Sequence, residues 1–138
     1  MQTLIREMLD KKVWAVVGAT DNPAKFGNKI YKKLKARGYE VYAVNPMYTE
    51  VDSDLCYASL SDVPVKIDCV NVVVGPDKSF RVLDEVKQLG IMNIWFQPGT
   101  YTPEIVEASE VSGLNTVYVN CILVELGQLG MVAFSTLD

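Results

Sequence analysis

Three times in this chain a glycine closes an amphipathic stretch and an apolar run begins within a few residues: "RGYEVYAV", "LGIMNIWF" and "SGLNTVYV". A glycine just past a helix takes the left-handed conformation that ends it, and the chain is then free to enter a strand. Strand after helix, repeated, is the rhythm of β–α units, which builds a parallel sheet with helices on both faces. The strands read "VWAVVG", "YEVYAVN", "DCVNVVVG", "NIWFQ" and "TVYVNC". Near-continuous apolar runs such as "VWAVV" suit strands covered on both sides. The expectation is an α/β fold: a single doubly wound, Rossmann-like domain with about five parallel strands in the order 3-2-1-4-5. With 138 residues, 49% of them hydrophobic, there is material for one well-covered core and little room for two.

Between the strands, a helix runs from about Pro23 or Lys25 to Arg37, with Ile30, Tyr31 and Leu34 at helical spacing. Asp77 reads as the N-cap of "KSFRVLDEVKQL", with Phe80, Leu83, Val86 and Leu89 inward. Thr102 caps a short helix that starts at Pro103. The long connection "PMYTEVDSDLCYASLSDVPVKI" holds one helical turn near Ser59–Val63. Trp14, Trp95 and Cys69 read as core, and Cys56 as a loop residue.

Charge and cysteine usage narrow the function. A net charge of −4 speaks against a broad nucleic-acid surface. No apolar run approaches the roughly 18 residues of a membrane span. The amphipathic start "MQTLIREMLD" carries both charge signs and does not fit a signal peptide. Three cysteines without a CxxC pair point to a reducing cytoplasm. The chain has no histidine, which removes phosphohistidine intermediates, histidine general bases and Cys-His dyads from its own repertoire.

In an open α/β sheet, ligands bind beyond the carboxyl ends of the strands, near the point where strand order reverses. The residues there read Gly18-Ala19-Thr20, Asn45-Pro46, Val74-Gly75-Pro76, Gln97-Pro98-Gly99 and Asn120-Cys121. Glycine and proline also end strands in α/β proteins that bind nothing at that place. The first loop, "GATDNPAKFG", has the grammar of a phosphate site: backbone N–H groups after Gly18, then a helix start. Lys25 and Lys29 add positive charge, Thr20 and Asn22 can donate hydrogen bonds or cap the helix, and Gly27 implies close packing or close approach by a ligand. Asp21 should point away. The dinucleotide spelling G-x-G-x-x-G is absent, and strand two ends in Asn45-Pro46 without the acid that reads a ribose. No Walker lysine motif occurs either. The loop keeps a phosphate logic and NAD is disfavoured.

The stretches "VVGAT…KFGNKIYKKLKARGYEVYAVNP", "LCYASLSDVPVKIDCVNVVV", "IWFQPG" and "VNC" resemble small stand-alone CoA-binding proteins. These are related to the CoA-binding domains of succinyl-CoA synthetase and of ADP-forming acyl-CoA synthetases. The resemblance runs from about Lys12 to Leu126 and leaves 127–138 as a C-terminal tail. It implies CoA, or an acyl-CoA, lying across the strand ends. The phosphates would sit on Gly18, Ala19 and Thr20 and near Lys25, Phe26 and Gly27. Adenosine would lie at Asn45 and Pro46, and the pantetheine arm at Val74, Gly75, Pro76, Gln97 and Gly99. Two departures stand out. An Asp-Arg-Cys-Pro-like segment is replaced by Val119-Asn120-Cys121-Ile122, and "WFQPG" stands where "WLQ-x-G" is usual. The larger synthetases pass phosphate through a histidine on a separate domain, which this chain lacks.

Three functions follow as expectations. The first is a CoA- or acyl-CoA-binding module without catalysis: a carrier, sensor or regulatory subunit. The second is a small NADP-dependent oxidoreductase that uses Lys25 or Arg37 for a 2′-phosphate and Tyr31, Tyr48, Tyr101 or Lys25 as proton donor. The third is an interaction subunit with a vestigial site, whose apolar tail "ILVELGQLGMVAF" packs on a partner subunit or in a homodimer, or closes the sheet edge. Cys121 reads either as a thiol able to meet that of CoA or as a small buried hydrophobe.

Overall fold

The computed structural model describes residues 1–127. An N-terminal helix α1 (Gln2–Leu9) precedes the first strand, β1 (Val13–Val17). There follow α2 (Phe26–Ala36), β2 (Glu40–Val44), β3 (Glu50–Val51), β4 (Asp54–Tyr57), a 3-10 turn at Leu60–Asp62, β5 (Cys69–Val72), α3 (Pro76–Gln88), β6 (Asn93–Phe96), α4 (Pro103–Val111) and β7 (Asn115–Val117). Residues 122–127 are again helical. The apolar tail beyond them, on which the interaction reading leans, lies outside the described residues.

The fold class is as expected from the sequence. The sheet has seven strands rather than five, in the order β3-β4-β2-β1-β5-β6-β7. The run "DCVNVVVG" supplies β5, which pairs with β1 and not with β2. The place beside β2 belongs to β4, parallel to it. β4 was hidden because its partner β3 is only two residues long and the turn between them sits on Asp52 and Ser53, both at positive φ. Polar residues of this kind tolerate the left-handed region and make tight hairpins, but they carry no strand periodicity. The reversal of strand order still falls at β1, where the sequence places it.

Side chains alternate across the sheet. Trp14, Val16, Cys69 and Trp95 join Ile5, Met8, Ile30, Tyr31, Leu34, Ile122 and Leu126 on one face. Ala15, Val17, Val70, Val72, Ile94 and Phe96 meet Val82, Leu83, Val86 and Ile105 on the other. Each face is therefore a separate apolar layer, with α1, α2 and the last helix on one side and α3 and α4 on the other.

Two helix details differ from the sequence reading. Gly75, not Asp77, is the N-cap of α3, because Pro76 takes the first helical position, where its missing N–H costs nothing. The inward face of α3 is Ser79, Val82, Leu83 and Val86, while Phe80 and Leu89 are 45% and 44% exposed. Ser79 turns the helix this way by donating to the Thr100 carbonyl. Thr102 caps α4 as expected, accepting from the Ile105 N–H at 3.3 Å. Cys56 sits buried on β4 rather than in a loop. No helix among the described residues is long and apolar enough to cross a membrane.

Candidate functional site

The loop after β1 is built on two glycines that touch. Gly18 has φ +102°, and a Cβ there would come within 2.8 Å of the Val73 carbonyl oxygen on β5. Gly27, in the first turn of α2, lies so close that a Cβ would land on the carbonyl oxygen of Gly18. The helix start thus packs directly on the loop backbone, which only a residue without a side chain permits.

Side-chain amides lock the loop. Asn28 donates to the Thr20 carbonyl at 3.0 Å, and Asn45, at the end of β2, donates to the Ala19 carbonyl at 2.9 Å. Thr20 pairs with the Tyr48 hydroxyl at 2.7 Å and accepts from the Asn22 N–H at 3.1 Å. Asn22 does not cap α2. It closes a local turn onto the Ala24 N–H at 3.0 Å, and α2 begins at Phe26 with no side-chain cap. Among the described residues nothing accepts from the Phe26 and Gly27 N–H groups. An uncapped helix N-terminus presents partial positive charge. α3 starts uncapped in the same way at Gly75.

These helix starts border a cavity of about 800 Å³ at the carboxyl ends of β1, β2, β5 and β6. That volume suits a cofactor-sized ligand. Of the residues singled out from the sequence, Gly18, Thr20, Lys25, Phe26, Gly27, Asn45, Val74, Gly75, Gln97 and Gly99 line it. Ala19 is fully buried, and Asn22 and Pro76 do not line the wall. Pro46 lines a second cavity of about 670 Å³, which shares Gly18, Asn45, Met47, Val74 and Lys78 with the first. Lys29 does not line either cavity; its ammonium lies 5.7 Å from the centre of the Phe26 ring. The second cation of the wall is Lys78 on α3. The sequence reading passed over it, although "GPDK" repeats the pattern of a strand-ending glycine followed by a lysine near a helix start. Tyr48 and Cys121 also line the cavity.

No aspartate or glutamate lines the larger cavity. Asp21 turns away, its carboxylate accepting from the Asp52 N–H at 2.7 Å. Gln97 closes the far end: its carbonyl oxygen accepts from the Ile122 N–H at 2.9 Å and its amide faces Cys121 Sγ at 3.4 Å. Trp95 holds the neighbouring Asn120 carbonyl at 2.9 Å. Burial pushes the thiols of Cys56 and Cys69 up, and neither lines the cavity, although Cys56 Sγ lies 3.6 Å from the Asn45 carbonyl oxygen.

The residues named for a reductase do not come together. Arg37 is at the other end of α2, donating to the Leu126 carbonyl at 3.0 Å. Tyr31 donates to Asp54, and Tyr101 packs between Phe96 and Tyr118. Of those candidates, only Tyr48 and Lys25 border the cavity.

A doubly wound sheet with a cleft at its switch point, a glycine-built helix start and no ribose-reading acid defines a Rossmann-like binding domain that departs from the dinucleotide type. More narrowly, the chain belongs to the family described as "CoA binding domain", whose model matches residues 12–127. It is 31% identical over 121 residues to the ADP-forming acetate–CoA ligase I of Archaeoglobus fulgidus, covering 80% of this chain and 18% of that protein. It is 27% identical over 119 residues to the alpha subunit of the ADP-forming acetate–CoA ligase II of Pyrococcus furiosus, covering 78% of this chain and 26% of the subunit. The chain thus spans about a quarter or less of the curated relatives it matches. A solved hypothetical protein from Pyrococcus horikoshii OT3 superposes with a TM-score of 0.88 at 35% identity, covering 94% of this chain and 92% of that one.

Proposed function

We propose that this chain binds CoA or an acyl-CoA and performs no chemistry on it alone, serving as a carrier, sensor or regulatory module. The observation that carries the reading is the uncapped start of α2, with two unpaired N–H groups beside Lys25, facing a cavity wall without acids. Such a wall suits a pyrophosphate, because backbone donors and lysines meet its charge and no carboxylate repels it. The ligand then lies across the strand ends. Adenosine is next to Asn45 and Pro46, the pyrophosphate is on Gly18 to Thr20 and Lys25 to Gly27, and pantetheine runs over Val74 to Pro76 toward Gln97 and Gly99.

Two facts favour binding over catalysis. The chain has no histidine, and the residues named for a reductase do not gather at the cavity. The reductase reading loses support from the scattered positions of Arg37, Tyr31 and Tyr101.

A thermal-shift panel of CoA, acetyl-CoA, NAD, NADP and ATP tests the proposal. A ligand at a hundred times its Kd adds about 2.7 kcal/mol to stability. CoA or acetyl-CoA should raise Tm clearly above the other three. A larger shift with NADP overturns the reading in favour of an oxidoreductase, and no shift with any ligand removes it.

A further inference from the structure

The second cavity, of about 670 Å³, reaches from the ends of β1 and β2 across to α3. Its floor is apolar: Val17 and Val44 end β1 and β2, Val74 follows β5, and Val82 comes from α3. Met47, 82% exposed, lines this cavity and the first alike, so an uncovered thioether stands where the two meet. An apolar slot with such an edge suits a flat heteroaromatic base.

The polar side of the cavity is one stripe of α3. Lys78, Arg81, Glu85 and Gln88 recur at three- and four-residue spacing, which stacks them along the same side of the helix. The carboxylate on this stripe is already engaged. Glu85 accepts from the Leu60 and Ser61 N–H groups at 3.1 and 3.3 Å and from the Ser61 hydroxyl at 2.8 Å. Asp84, the other acid of the wall, has its side chain 69% exposed and Lys87 at 3.9 Å. Lys78 and Arg81 enter none of the ion pairs among the described residues. Lys78 lines both cavities, whereas Arg81, about 4.5 Å further along the helix axis, lines only the second. One cation thus stands between the phosphate loop and the slot, and another stands beside the slot alone.

A dinucleotide-binding domain reads its ribose with a carboxylate after the second strand, and an arginine in that neighbourhood accommodates a phosphorylated ribose instead. Here β2 ends in Asn45-Pro46, and the arginine bordering the same cavity as Pro46 is Arg81. CoA carries a phosphate at the 3′ position of the sugar whose 5′ position bears the pyrophosphate. Resting on the CoA reading above, we propose that the second cavity holds the adenosine end of the ligand and that Arg81 binds its 3′-phosphate. Arg81 is then the residue that separates CoA from adenine nucleotides without that group. A guanidinium fork meets a phosphate through two parallel hydrogen bonds, which fixes direction as well as charge.

The test is titration calorimetry at one fixed salt concentration, on the wild type and Arg81→Ala. The ligands are CoA, 3′-dephospho-CoA, adenosine 3′,5′-bisphosphate and adenosine 2′,5′-bisphosphate. The wild type should bind CoA at least about tenfold tighter than 3′-dephospho-CoA, and the 3′,5′-bisphosphate tighter than its 2′,5′ isomer. In Arg81→Ala, checked for folding by its thermal transition, the preference for CoA should fall to about twofold or less. Arg81→Lys should restore part of it, since an ammonium keeps the charge and loses the fork. Equal affinity of the wild type for CoA and 3′-dephospho-CoA overturns the proposal and leaves the CoA reading standing. So does a preference for CoA that survives Arg81→Ala, or a fall in both affinities with their ratio kept. Tighter binding of the 2′,5′ isomer overturns it in favour of a 2′-phosphate site. Failure of both CoA and 3′-dephospho-CoA to bind removes the two readings together.

Discussion

At the scale of single residues, the loop depends on what Gly27 lacks. The sequence shows a glycine in a first helical turn, which announces close packing, but not against what. Its neighbour is the Gly18 carbonyl, an atom nine positions back in the chain that the β1–α2 turn folds onto it. A methyl group at Gly27 must push the start of α2 off the loop, and overpacking of this kind costs about 1–3 kcal/mol. Gly27→Ala should lower the unfolding free energy read from urea denaturation by that amount and weaken CoA binding, because it displaces the Phe26 and Gly27 N–H groups. A variant within about 0.5 kcal/mol of wild type would show that the contact yields cheaply. Asn22 and Thr20 teach the complementary lesson. Their residue types were legible as hydrogen-bonding, yet Asn22 spends its side chain inside the loop and Thr20 divides its between the loop and Tyr48, and no local pattern distinguishes that from a bond to a ligand.

At the scale of elements, the β3–β4 hairpin escaped the sequence reading because two- and four-residue strands are shorter than any period can reveal. Its anchors come from distant segments. The Tyr31 hydroxyl donates to Asp54 at 2.7 Å, Lys35 pairs with Asp54 at 2.7 Å and Asp52 at 3.2 Å, and Asp21 takes the Asp52 N–H. Lys35 and then Tyr31 hold the Asp54 carboxyl below its ordinary value of 3.8, while burial and Asp54 hold the Tyr31 phenol above 10.0. A carboxyl whose folded value is depressed contributes stability that is complete above its unfolded value and fades as pH falls toward the folded one. A phenol whose folded value is raised contributes stability that is complete below its unfolded value and fades as pH climbs beyond it. Asp54→Asn should therefore be less stable than wild type at neutral pH and lose less on acidification below about pH 4. Tyr31→Phe should flatten the alkaline limb above about pH 10. Urea midpoints across the pH range check both, and curves parallel to wild type would show that the latch carries no linked stability.

At the scale of the whole molecule, the switch point at β1 was readable from the β–α rhythm, and with it the edge of the sheet that holds the cavity. What could not be read was which cations from separate helices meet there. The chain carries a net charge of −4, yet Lys25 and Lys78 converge on a cavity wall without carboxylates, and the nearby Asp21 and Asp52 are engaged with each other. A polyanion approaching a negative protein is steered only by such a local reversal of sign, an effect that salt screens over about 10 Å at 0.1 M. Charge-assisted contacts to phosphate contribute about 1.5–3 kcal/mol, so Lys78→Ala should weaken CoA binding by about tenfold or more. The deficit should shrink as salt rises, with the unliganded Tm unchanged. Lys32→Ala removes the same charge from an exposed turn of α2 away from the cavity and should shift Kd by no more than about twofold. Titration calorimetry of both variants at two salt concentrations separates the cases. Equal effects of the two would mean that CoA senses only the overall charge, and the wall around Lys78 would then lose its place in the binding site.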